Sequence, residues 1–179
     1  MPLKRIGSET VYRGRRIDIE RHVFETASGE RVEKEVGRHV GAVCVLPLLE
    51  DGRVVLIRNR RAAVDETLWE LPAGTLEPPE PPVDCARREL REEAGYDCET
   101  LDPLLSFWTA PGLWDERMHA FVATGLTPAG LALEAGEEIE PVVVAWGEVE
   151  AMLSRGEIVD GKTLTALLYY RQFRQQSCA

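Results

Sequence analysis

Between residues 74 and 96 the sequence sets residues capable of metal chemistry at fixed intervals. Gly74 is followed by Glu80, then by Arg88-Glu89-Leu90, by Glu92-Glu93, and by Gly95-Tyr96. Glu89, Glu92 and Glu93 stand at i, i+3 and i+4, the spacing that gathers side chains on one face of a helix. Carboxylates so close repel one another and raise each other's pKa. A hard divalent cation removes that conflict, because Mg²⁺ prefers carboxylate oxygen, keeps several waters and is completed by substrate phosphates. The alternative is an acidic, solvated helix face, the ordinary reading of a bare RELREE helix.

These residues need elements to hold them. Pro81 and Pro82 suit the first turn of a helix, where a missing N–H costs nothing. Val83, Ala86, Leu90 and Ala94 then form one apolar stripe, with the glutamates on a neighbouring face, and Gly95 is a C-terminal stop. Upstream, residues 40–48 (VGAVCVLPL) read as a buried strand. Asp51-Gly52 marks a tight turn, and RVVLIRNRR follows as the hairpin partner of that strand. Residues 70–72 read as a short apolar strand end. Downstream, residues 101–110, 117–125 and 141–146 read as strands. GEVEAMLSRGEI reads as a short helix ending near Gly156. Residues 163–175 form a last amphipathic helix, whose Leu164, Leu167, Leu168, Tyr170 and Phe173 cover one side of the sheet.

Ahead of this core, residues 8–36 alternate around Val11, Tyr12, Ile17, Ile19, Val23 and Phe24, with Gly14 and Ser28-Gly29 at the turns. That pattern predicts a small antiparallel sheet.

At 179 residues the chain is long enough for one good core, and 44% hydrophobic with 29% charged residues is ordinary for a soluble globular protein. A net charge of −10 argues against a broad nucleic-acid or anionic-membrane surface, yet a metal and a few arginines can still reverse the local field for an anionic substrate. Cys44, Cys85, Cys98 and Cys178 are scattered without a CxxC pair, which predicts thiols in a reducing, cytoplasmic setting. No apolar run approaches a membrane span, and the N-terminus does not read as a signal peptide.

Residues 74–96 resemble a complete, gapless Nudix box, the signature of hydrolases that cleave nucleoside diphosphates linked to another group; its one soft spot is Tyr96, where an aliphatic residue is usual. The resemblance implies an α/β/α sandwich on a mixed sheet (residues 39–179) with an N-terminal antiparallel β extension (1–38) that forms a homodimer. It implies a Mg²⁺ cofactor, with Mn²⁺ as an alternative, held by Glu89, Glu92, Glu93 and the carbonyl of Ala73. Arg88 would hold those carboxylates in register, and Glu138 or Glu140, in an acidic run that alone reads as a solvated loop, would serve as metal ligand or general base. Pro111, in the context P-G-x-x-x-E ending at Glu116, resembles the marker of the ADP-ribose pyrophosphatase subgroup, with Ala110 where Ser is usual. Read alone, the same Pro-Gly is a plain β-turn. Arg61 matches a substrate-binding arginine of that subgroup, although the Arg58–Arg61 run also suits an exposed strand end. Lys34 and Glu35 match its basic–acidic pair on the terminal ribose or adenine. The expected substrate is ADP-ribose or a related nucleoside diphosphate sugar. UDP-sugar or dinucleotide hydrolysis, and a non-catalytic nucleotide-sensing module, are the alternatives.

Overall fold

A computed structural model describes residues 3–175; Cys178 lies outside the described residues. The chain forms two compact units. One comprises residues 1–41 and 108–117, the other 42–107 and 118–179.

In the first unit, β1 (Lys4–Arg13), β2 (Asp18–Glu25) and β3 (Arg31–Arg38) form an antiparallel sheet in that order. The turns fall where Gly14 and Gly29 stand, and Gly29 takes φ 83°, a conformation that costs glycine nothing. All of β1 is exposed, including Leu3 just before it, Ile6, Val11 and Tyr12. Residues 111–116 turn back onto the end of β3. Gly37 N–H donates to the Leu113 carbonyl at 2.8 Å, and Asp115 N–H donates to the Gly37 carbonyl at 3.1 Å.

The second unit is built on two sheets. In one, β7 (Ala73–Thr75), β4 (Ala42–Pro47), β9 (Arg117–Pro128) and β8 (Tyr96–Trp108) lie in the order β7-β4-β9-β8. It is mixed, since β4 runs antiparallel to β7 and parallel to β9. In the other, β5 (Val54–Arg61) lies between β10 (Ile139–Val144) and β6 (Glu66–Glu70), antiparallel to both. The expected hairpin of residues 40–48 with 53–61 does not form. Only a bridge from Leu48 to Val54 joins them across the turn at Asp51-Gly52, so this turn hands the chain from one sheet to the other. The physical reason lies in the two apolar runs. Both are buried on both faces, and each takes the interior position of its own sheet.

Strand β4 divides the core. Ala42, Cys44 and Leu46 pack with Val149, Met152, Ala166 and Leu167 of helices α2 (Trp146–Arg155) and α3 (Gly161–Phe173). Val43 and Val45 pack with Cys85, Ala86, Leu90 and Ala94 of α1 (Pro82–Ala94). Helices therefore cover both faces, the expected α/β/α sandwich. Two helices stop as their sequence dictates: Gly95 (φ 75°) and Gly156 (φ 70°) cap α1 and α2 in the left-handed conformation. The last helix departs from expectation in part. Leu167 is buried, but Leu168 is 48% and Phe173 60% exposed.

Candidate active site

The box helix α1 turns a wider face inward than its apolar pattern suggests. Cys85, Ala86, Glu89, Leu90, Glu93 and Ala94 are buried, whereas Val83 is half-exposed. Glu89 and Glu93 thus belong to the inward face rather than to a neighbouring one. What makes this tolerable is a short strand that meets them. Ala73 and Gly74, in β7, pair with Cys44 and Val43 of β4, and the Ala73 N–H donates to Glu93 Oε2 at 2.7 Å. Gly74 lies so close to Glu89 that a Cβ there would come within 1.8 Å of Oε1. The glycine makes room for a carboxylate.

Burial sets the electrostatics. It pushes the Glu93 carboxyl up to about 8 and the Glu89 carboxyl up to about 7, against the opposing pull of the Ala73 N–H on Glu93 and of Arg88 on Glu89. Arg88 organises the rest. Its Nη1 donates to Glu89 Oε1 at 2.6 Å and to Glu92 Oε2 at 3.0 Å. Its Nε and Nη2 grip Glu80 at 3.1 and 3.2 Å, and this grip holds Glu80 below the usual carboxylate range. One guanidinium therefore spans three of the box glutamates.

Among the described residues, no three acidic, histidine or cysteine side chains converge on a single cation position. Glu89 and Glu92 are turned to Arg88, and Glu93 to the Ala73 N–H. The donor chemistry nevertheless fits a hard divalent cation. Its oxygens are carboxylate, two of the three groups are buried where their charge is costly, and Gly74 leaves the Glu89 oxygens uncovered by any Cβ.

Beside this group stands a second set of charges, of which sequence reasoning singled out Arg61 alone. Glu70, the last residue of β6, is fully buried, although its segment reads as an apolar strand end. Arg61, at the end of β5, grips it with Nε on Oε1 at 2.7 Å and Nη2 on Oε2 at 2.5 Å. This bond raises the Arg61 pKa. Lys162 Nζ reaches the same Oε2 at 2.6 Å and Asp160 at 3.0 Å. Asp160 in turn caps α3 through the Thr163 N–H and hydroxyl, and Thr163 Oγ1 accepts the Leu71 N–H at 2.9 Å. The signals were slight: a lone charge in an apolar segment, and an Asp three residues before a Thr at a helix start.

The other expected residues are placed as follows. In the loop before β10, Glu137, which was not among the expected residues, bears by its charge on Glu89 and Glu93, and its Oε2 accepts the Glu134 N–H at 2.8 Å. Glu138 is exposed and its carbonyl accepts the Arg60 N–H at 3.1 Å, while the Glu140 side chain, 71% exposed, lies 3.9 Å from Arg58. Lys34, Glu35, Pro111 and Glu116 belong to the first unit. Lys34 and Glu35 are exposed on β3, and Pro111 is exposed in the turn that follows β8. Glu116 Oε2 accepts the Thr109 hydroxyl at 2.5 Å, and Oε1 lies 3.6 Å from His39 Nε2.

Comparison with known proteins gives the chain its relatives. The chain is 34% identical over 168 residues to a "Methanol dehydrogenase activator" of Bacillus methanolicus, covering 93% of this chain and 91% of that one. It is 33% identical over 168 residues to an "ADP-ribose pyrophosphatase" of Bacillus subtilis (strain 168), with the same coverage of 93% and 91%. A solved structure described as "Crystal structure of ADP compounds hydrolase" shares the fold with a TM-score of 0.86 at 24% identity, covering 99% of this chain and 96% of the other. The NUDIX domain model matches residues 37–167, a span that holds the glycine-backed glutamates, Arg88 and the Arg61–Glu70 pair, and the chain belongs to the NUDIX domain family.

Proposed function

We propose that this protein hydrolyses the diphosphate linkage of ADP-ribose or a related nucleoside diphosphate sugar, giving a nucleoside monophosphate and a sugar phosphate. The observation that carries this reading is the pair of buried carboxylates, Glu89 and Glu93, set against Gly74 and the Ala73 N–H. Their charge is costly without a cation and natural with one. The residues that would hold Mg²⁺, or Mn²⁺ in its place, are Glu89, Glu92, Glu93 and the Ala73 carbonyl. Such an ion supplies charge neutralisation at the phosphates and a lower pKa for a water.

The chain's own residues do the remainder. Arg88 keeps Glu89 and Glu92 in register, and the Ala73 N–H holds Glu93. Arg61 offers its free guanidinium edge to a phosphate. A glutamate of the acidic loop takes the proton from the attacking water. For that role we assign Glu138 or Glu140, with Glu137, whose charge bears on Glu89 and Glu93, beside them in the same loop. The water oxygen bonds to one phosphorus, the bridging P–O bond breaks, and the leaving phosphate oxygen keeps the electron pair. Lys34, Glu35, Pro111 and Glu116 we assign to the sugar or base end of the substrate.

The N-terminal extension, residues 1–38, forms a homodimer in this reading; the exposed Leu3, Ile6, Val11 and Tyr12 support it. Three unpaired thiols among the described residues suit a cytoplasmic setting. No described helix is long and apolar enough to cross a membrane.

The test is a panel of ADP-ribose, UDP-glucose, ADP-glucose, diadenosine polyphosphates and nucleoside triphosphates, with Mg²⁺, for the wild type and Glu93→Gln. ADP-ribose should lead and the variant should be inactive. Another preferred compound would keep the chemistry and remove the Pro111 assignment. No turnover at all would favour the second reading, a non-catalytic nucleotide-sensing module; the Bacillus methanolicus relative is named as an activator of another enzyme.

A further inference from the structure

We propose that Lys162 is a positioning residue for Arg61, acting through Glu70, and that it keeps the outer edge of the Arg61 guanidinium available to a substrate phosphate. The inference rests on the diphosphate-hydrolase reading, which makes Arg61 a phosphate contact.

Two cations share one fully buried carboxylate. Arg61 Nη2 and Lys162 Nζ lie 2.5 and 2.6 Å from the same oxygen of Glu70. The arginine could satisfy both oxygens of Glu70 alone, as bidentate pairs do. The lysine is therefore not required to neutralise Glu70. Its second contact, Asp160 at 3.0 Å, brings in another carboxylate whose charge also acts on Arg61. Arg61, Lys162, Glu70 and Asp160 together sum to zero. The buried part of this balanced group is a fastening, and the edge it leaves for an anion is Arg61 Nη1.

The exposures divide the labour. The Lys162 side chain is 11% exposed and that of Arg61 38%. Among the described residues, Arg61 Nη1 has no hydrogen-bond partner, since Nε and Nη2 are the atoms committed to Glu70. Remove the ammonium and the group becomes a net anion with Arg61 as its one cation. The guanidinium is then drawn inward between Glu70 and Asp160, and its Nη1 edge is withdrawn. Lys162 belongs to the first turn of α3, and the neighbouring Thr163 fastens Leu71, next to Glu70. The helix thus fixes the lysine and the carboxylate it serves in one frame.

The test compares wild type, Lys162→Met, Arg61→Ala and the double variant in Mg²⁺-dependent ADP-ribose hydrolysis, with KM and kcat determined separately. Lys162→Met should raise KM about tenfold, the scale of one lost charge-assisted contact, and change kcat by less than about threefold. The double variant should be no worse than Arg61→Ala alone, because the lysine acts only through the arginine. A double variant whose loss equals the product of the two single losses, or an unchanged KM in Lys162→Met, would overturn the proposal. The second measurement needs no substrate. The ¹⁵Nε–H resonance of Arg61 should shift in Lys162→Met and stay put in the control Arg155→Lys, and an unshifted resonance overturns the linkage. If the wild type hydrolyses nothing on the panel, the hydrolase reading fails on its own, and the Arg61 resonance alone decides the role of Lys162.

Discussion

Glu89 leaves no room for a side chain at residue 74: a Cβ on Gly74 would come within 1.8 Å of Glu89 Oε1 and 2.0 Å of its Cδ. The residue in the way is the far end of a flexible side chain, so a larger residue at 74 displaces the carboxylate rather than the backbone. Gly74→Ala should therefore fold, with a melting temperature within a few degrees of the wild type, and lose at least about tenfold in kcat/KM. Comparing thermal unfolding with hydrolysis of ADP-ribose checks this, and an active Gly74→Ala would remove Glu89 from the metal set.

The buried carboxyls predict a pH dependence of the metal-free protein. Glu93 and Glu89, raised by burial to about 8 and about 7, stay protonated in the fold at pH values where the unfolded chain has released the proton. Their contribution is full below about pH 4.3, the ordinary glutamate value, and is lost as pH rises through 7 and 8. In chelator, the melting temperature should fall between about pH 5 and pH 9, and Glu93→Gln should fall less. Adding Mg²⁺ at the alkaline end should raise the wild type more than the variant. Equal slopes for the two proteins would count against a buried, cation-seeking Glu93.

Arg88 touches Glu80, Glu89 and Glu92 with one planar group. A lysine cannot reproduce that fork. Arg88→Lys should lower kcat/KM by about 10–100-fold, the usual cost of disturbing the shell around a metal's ligands. Glu80→Gln keeps an acceptor for Arg88 and should lose less. Steady-state kinetics at saturating Mg²⁺ distinguishes the two, and equal losses would mean that Glu80 has a role beyond holding Arg88.

The Thr163 hydroxyl is fully buried and accepts the Leu71 N–H. Thr163→Val keeps the shape and strands that N–H, at a cost of about 1–3 kcal/mol. The melting temperature should drop by about 2–4 °C for each kcal/mol lost in a chain of this size. Thr163→Ser should hold near the wild type. A Val variant as stable as the Ser variant would show that Leu71 finds another acceptor.

What the sequence discloses here depends on distance along the chain. The glutamates, their arginine and the closing Gly95 are legible because one helix carries them all, and helical spacing is a local rule. The N-terminal sheet is legible for the same reason, through alternation and glycine turns. The pairing of β5 is not. An Asp-Gly turn announces a reversal but does not say which strands bond, and β5 joins β10, more than seventy residues on. Glu70 and Lys162 are 92 residues apart, so neither hints at the other. Even within the box, the apolar stripe could not tell that Glu89 and Glu93 turn inward, because the group that donates to Glu93 is a backbone N–H of strand β7.

The fastening of Leu71 to the first turn of α3 also concerns birth order. A ribosome that has released the chain as far as Gly95 has delivered every glutamate of the box, yet none of β10, Asp160, Lys162 or Thr163. The sheet around β5 is incomplete at that stage, and Glu70 has Arg61 but not Lys162 beside it. Pairings of such long reach are slow to close. The box is therefore translated before the residues of α3 that fasten Glu70 and Leu71.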